Sequence, residues 1–121
     1  MSSTPPGHAW EHALPEASRE AILAVLDPAE SVQFVAPAVG SSLALTQRRV
    51  IVVRDGANFR PKSGIRTFQL DPALSIRIGP QRRRVIIESA TGTINLFVRS
   101  EQLAQAEAFV AEVRRRIYTD G

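Results

Sequence analysis

The chain has 121 residues, is 44% hydrophobic and carries a formal charge of +3, which fits one domain around a single core. It has no cysteine, which excludes disulfides and thiolate chemistry, and no apolar run approaches the roughly 20 residues of a membrane span. A basic start followed by an apolar core is also missing from the N-terminus, so the sequence predicts a cytoplasmic protein.

Residues 1–14 combine Ser, Thr, a Pro pair and Gly with little apolar content and read as a flexible tail. The folded domain is then 15–121. Trp10 is the exception in the tail, an anchor for the domain surface or for a partner. His8 and His12 are four apart, a spacing that suits Zn²⁺ on a helix, but the remaining ligands of such a site are missing. No metal and no cofactor are expected.

Pro15 to Leu26 reads as a helix. Pro15 suits its first turn, Glu16 lies at the positive end of the dipole, and Ser18, Ile22, Val25 and Leu26 form one buried stripe. Asp27-Pro28 stops it. Val32 to Ala36 is a first strand with Val32, Phe34 and Ala36 on one face, ended by Pro37 and Gly40. Ser42–Leu45 and Arg49–Val53, around the break Thr46-Gln47-Arg48, predict a central hairpin. Its one buried face carries Leu43, Leu45, Val50 and Val52. Asp55-Gly56-Ala57-Asn58 opens a loop that runs to Gly64.

Arg66–Leu70 is a fourth strand, and Leu74, Ile76 and Ile78 alternate in a fifth. Arg84–Ser89 is a sixth, with Val85 and Ile87 inward. Thr93–Val98 is a seventh, in which Ile94, Leu96 and Val98 share a face and Phe97 points outward. Ser100 is the expected N-cap of a last helix running to about Ile117. Its stripe of Leu103, Ala106, Val110, Val113 and Ile117, with Phe109 at the edge, must be buried. Arg114, Arg115 and Arg116 suit the negative end of that helix.

A helix, seven short strands and a closing amphipathic helix is an order that resembles the pleckstrin-homology (PH) superfold. It looks closer still to the short bacterial PH-like domains related to the GRAM type. LALTQRRVIVV (43–53) looks like the family's pattern of a strand, Leu-Thr-x-x-Arg and a second strand. IRTFQLDPALSIRI (65–78) is similar to its short strand, leucine and core strand ending in isoleucine. The closing helix puts Phe109 and Val113 on the face expected to lie over the barrel. The resemblance covers roughly 16–118. It implies a mainly β (α+β) fold: a PH-like barrel of seven antiparallel strands in two sheets, capped by the C-terminal helix, with an extra N-terminal helix. It also implies a binding module and not an enzyme. Lipid-binding members crowd basic residues at the end of strand one and the start of strand two, whereas Val35–Leu45 here has none.

Arginine supplies 14 of the 15 basic residues, and its guanidinium pairs bidentately with carboxylate or phosphate. Arg48 and Arg49 occupy one turn, and Arg82, Arg83 and Arg84 another. The resemblance places both turns at one end of the barrel, where the five would converge on an anion or a partner. The plainer expectation is that each points into water or pairs with Asp55, Asp71 or Glu88. A second candidate is the basic loop of Arg54, Arg60, Lys62 and Arg66. Aromatics are only 6% of the chain, and Phe59 alone sits among the charges, which argues against nucleic acid, whose bases need stacking platforms. The histidines lie in the tail, the carboxylates are scattered and no glycine-rich phosphate loop is present, so no catalytic set is recognisable. The leading expectation is a protein partner or a homo-oligomer, engaged through sheet edges. The alternative is peripheral binding to anionic membrane headgroups through the arginine-rich turns.

Overall fold

Short apolar runs bounded by turn residues become seven strands. They are β1 (Val32–Ala38), β2 (Ser41–Thr46), β3 (Arg49–Arg54), β4 (Ile65–Gln69), β5 (Ser75–Ile78), β6 (Arg84–Ser89) and β7 (Gly92–Phe97). Helix α1 (Glu16–Val25) precedes them, and a 3-10 turn (Ser100–Gln102) leads into helix α2 (Leu103–Thr119). The computed structural model describes residues 13–55 and 64–119. His8, Trp10, His12, Phe59, Arg60 and Lys62 lie outside the described residues.

All pairings are antiparallel. They give a four-stranded sheet in the order β1-β2-β3-β4 and a three-stranded sheet in the order β5-β6-β7. The expected PH-like arrangement is present, as two packed sheets and not as a closed barrel. Where the β1–β2 turn meets the end of β7, Val39 N–H donates to Phe97 O at 2.7 Å. Leu43, Leu45, Val50 and Val52 face Val85, Ile87, Ile94 and Leu96 across the main core. Phe109, Val113 and Ile117 of α2 close it. Phe109 is fully buried, at the centre of the helical stripe and not at its edge. Each such side chain contributes about 1.5–3 kcal/mol on burial.

The central hairpin departs from the expected single buried face. Every residue of β2 is buried, as are Val50–Val53 of β3. The reason is α1, which lies on the outer face of its own sheet. Leu14, Ala21 and Ile22 pack there on Val35, Ala44, Ile51 and Val53 as a second core. The hairpin is therefore sandwiched between the main core and a helix.

Three local expectations are corrected. The register of β1 shifts between Val32 and Phe34, a bulge that breaks the alternation and leaves Phe34 exposed while Val35 and Ala36 are both buried. Pro37 does not end the strand. It pairs with Ser42 on an edge strand, where a missing N–H costs no ladder bond. Ser100 is not the helix cap. Arg99 N–H donates to Gln102 Oε1 and Gln102 N–H to Arg99 O, both at 2.9 Å, so the glutamine three residues on secures the helix entry. The β1–β2 turn needs Gly40, whose φ is +70°, a conformation costly for residues with a Cβ.

Candidate binding surface

The two ends of the domain differ in how their arginines are used. At the β2–β3 turn, Glu30 is enclosed and its side chain fully buried. It accepts from Arg49 Nε at 2.8 Å, Arg49 Nη2 at 2.7 Å, the Thr46 hydroxyl at 2.6 Å and Asp27 N–H at 3.2 Å. Arg49 Nη2 also donates to Val25 O, the last residue of α1, at 2.7 Å. The Thr46 oxygen in turn accepts from the N–H groups of Arg48 and Arg49, each at 3.1 Å. The bonds from Arg49 hold the Glu30 carboxyl down from 4.5 to about 2, against the opposing effect of burial. The same pairing raises the Arg49 guanidinium above its ordinary value. Arg48 Nη1 reaches Asp27 at 2.8 Å in an exposed pair. Arg116 of α2 adds bonds to Gln33 and to Thr46 O. Arg48 and Arg49 thus act within the fold, tying the end of α1 and the segment after it to the β2–β3 turn, while Arg116 ties α2 to β1 and β2.

Arg82 pairs with Glu107 on α2. Glu107 and Arg116 are nine residues apart on one helix, roughly 13 Å along its axis at 1.5 Å per residue. The β5–β6 turn therefore meets the first half of α2 and the β2–β3 turn its last turns. The described contacts divide the five arginines between these places instead of gathering them. Arg66 of the second candidate set stacks 5.5 Å from the centre of the Phe68 ring.

The opposite end brings together segments far apart in sequence. Besides the Val39–Phe97 bond, Asp55 N–H donates to Gly40 O at 3.0 Å, Val98 N–H to Arg83 O at 2.8 Å and Gly79 N–H to Arg84 O at 2.9 Å. Register sets Arg54 opposite Ser41 and Arg84 opposite Phe97. The β1–β2 turn, the end of β3, the β5–β6 turn and the end of β7 thus form one tip. Phe97 is 59% exposed and Val39 44% exposed there. The same tip carries Arg54, Arg83, Arg84 and, two residues after Phe97, Arg99, none in an ion pair among the described residues. Ser41 Oγ, across from Arg54, is buried with no partner among the described residues. A tip that presents an exposed aromatic ring, an exposed branched aliphatic side chain and several arginines can meet a surface that offers both an apolar layer and anions.

Phe97 was recognisable as an outward residue from the strand alternation. Arg99, two residues on from Phe97, follows from the same alternation, whereas Val39 does not, because only the turn-to-strand bond makes it a neighbour of Phe97. Among the described residues no group of three His, Cys, Asp or Glu is placed to hold a metal, and no helix is long and apolar enough to cross a membrane.

No protein-family model and no curated protein matches the chain. Among solved structures, the chain is similar to a Vps36 N-terminal PH domain, with a TM-score of 0.53 and 17% identity, over 78% of this chain and 84% of that one. At that identity the likeness establishes a PH-like fold.

Proposed function

We propose that this chain is a non-enzymatic binding module of PH-like fold that docks on an anionic membrane surface through the Phe97–Val39 tip. The observation that carries the reading is the exposed Phe97 beside Val39, at a tip whose backbone also carries Arg54, Arg83, Arg84 and Arg99, none in an ion pair among the described residues. Near an anionic leaflet each such arginine contributes about 1 kcal/mol, and insertion of a Phe and a Val adds roughly 1.5–3 kcal/mol each when fully buried. Together these support reversible, salt-sensitive binding. Arg60 and Lys62 follow Arg54 in sequence and extend the same basic stretch. Arg48 and Arg49 stand outside the proposed surface, held by Asp27 and Glu30 at the β2–β3 turn, and Arg82 in the β5–β6 turn is paired with Glu107.

The test is co-sedimentation with phosphatidylcholine vesicles containing graded phosphatidylserine, at low and physiological salt. Binding is expected to rise with the acidic lipid, to weaken with salt, and to fall in Phe97→Ser and in Arg83→Ala/Arg84→Ala. Arg48→Ala should bind normally. Absence of binding at low salt refutes the reading.

A further inference from the structure

A second surface, on a different face, has the features of a peptide site. Strand β4 is an edge of the four-stranded sheet. Leu70 N–H donates to Arg48 O, and the register continues through Val50 with Phe68 and Val52 with Arg66. In an antiparallel ladder alternate pairs exchange hydrogen bonds, so residues 66, 68 and 70 direct their main-chain groups to β3. The N–H and C=O of Ile65, Thr67 and Gln69 therefore point away from the sheet, and no described strand takes them up. Proline and lysine, the common edge blockers, are absent from β4.

Beside this edge lies a groove of about 190 Å³. Phe68 and Leu74 supply its apolar lining, Thr67 and Gln69 its β4 wall, and the β6–β7 turn at Ala90 its far wall. A cavity of roughly 150 Å³ accepts benzene, so one leucine- or phenylalanine-sized side chain fits. Arg66 projects on the same face as Phe68, stacked on its ring, with no carboxylate partner among the described residues.

We infer that the β4 edge binds an extended segment of a partner protein, added antiparallel, with an apolar residue opposite Phe68 and an acidic residue two positions later opposite Arg66. Main-chain hydrogen bonds at Thr67 and Gln69 supply affinity, and the groove and Arg66 supply selectivity. Charge decides the occupant. β4 reads Ile-Arg-Thr-Phe-Gln and has no acidic residue, so a second copy pairing edge to edge leaves Arg66 without a counter-charge. The inference stands apart from the membrane reading and uses none of the residues of the tip.

The test is an NMR titration of the full chain with two capped nonapeptides of alternating β-formers. One carries Leu followed two positions later by Glu, and the other has Lys in place of that Glu. The Glu peptide should shift the amide signals of Thr67, Gln69 and Thr91 and bind roughly fivefold more tightly than the Lys peptide, as cross-strand charge pairs do. Arg66→Glu should reverse that preference. Thr67→Pro removes an outward N–H and no ladder bond, so it should abolish peptide binding while vesicle binding persists. If that variant fails to fold, the Arg66→Glu reversal still decides. Three results overturn the inference. One is no shift with either peptide at about 1 mM, the weak end of measurable affinity. Another is equal binding of the two peptides. The third is slow hydrogen exchange of the Thr67 and Gln69 amides in the peptide-free protein, which would mean the edge is already paired within the chain or with a second copy.

Discussion

Replacing Glu30 by Gln removes one negative charge and keeps the side chain's shape. The carboxylate is buried and receives two bonds from Arg49 and one from Thr46. Its pKa falls from 4.5 to about 2. At about 1.4 kcal/mol per pKa unit, that fall corresponds to about 3 kcal/mol of stabilisation. Breaking a buried ion pair by removing one partner costs about 3–5 kcal/mol by an independent route, so the two agree. Glu30→Gln should therefore lose about 3 kcal/mol at pH 7, a large share of the roughly 5–15 kcal/mol typical of a domain. Urea unfolding monitored by circular dichroism measures it.

The pH dependence follows from the depressed pKa. The contribution is complete above about pH 4.5, where the unfolded chain is also ionised. It fades as pH falls and is lost on passing through about 2. Wild type and variant should thus differ most at neutral pH and converge toward pH 2. Glu112 is lowered to about 2 by Arg115 and Arg116, but it titrates alike in both proteins and cancels in the difference. A loss below about 1 kcal/mol at pH 7, or a difference that does not change between pH 5 and 2, refutes the reasoning.

Three other outcomes are expected. Phe109→Ala should cost about 3–5 kcal/mol in the same unfolding assay, because the ring is fully enclosed at the centre of the main core. Gly40→Ala should cost about 1–2 kcal/mol through its positive φ alone, since nothing lies within 4 Å of the added carbon; a shift in the midpoint with an unchanged urea slope is the readout. Phe97→Ser should leave stability within about 0.5 kcal/mol while reducing vesicle sedimentation, which separates a surface role from a packing role.

The order of elements was legible because each strand carries its own signal. Ile94, Leu96 and Val98 alternate, and Ala106, Val110, Val113 and Ile117 keep helical spacing; all are buried in the main core. What stayed hidden arises from contacts across the chain. Ala44, Ile51 and Val53 are apolar in a way that a one-faced hairpin does not require, and the surplus has meaning only once α1 covers them. The bulge in β1 is a matter of pairing register, which local alternation does not encode. The site followed the same division. Arginines in turns were visible, but which of them keep a free charge depends on distant carboxylates: Asp27 for Arg48, Glu30 for Arg49 and Glu107 for Arg82. Arg54, Arg83 and Arg84 were among the candidates, and Phe97 and Arg99 are neighbours by strand alternation, whereas bringing Val39 and the candidate arginines to that pair depends on backbone bonds between remote turns.

The doubly covered hairpin bears on how the chain selects one alignment of its strands. A one-residue slip normally sends an apolar face into water, and that penalty enforces correct pairing. Sliding β2 by one residue would instead exchange Leu43 and Leu45 with Ala44 between two interiors, both apolar. Solvent exposure is therefore a weak guide here. The Thr46 hydroxyl supplies a better one, because only the native alignment brings it to Glu30 and to the N–H groups of Arg48 and Arg49 together. Buried polar groups can serve as alignment pegs at some cost in stability. In this domain the peg sits where the hairpin turns, at the two residues between β2 and β3, so the turn itself fixes the count of residues on either side.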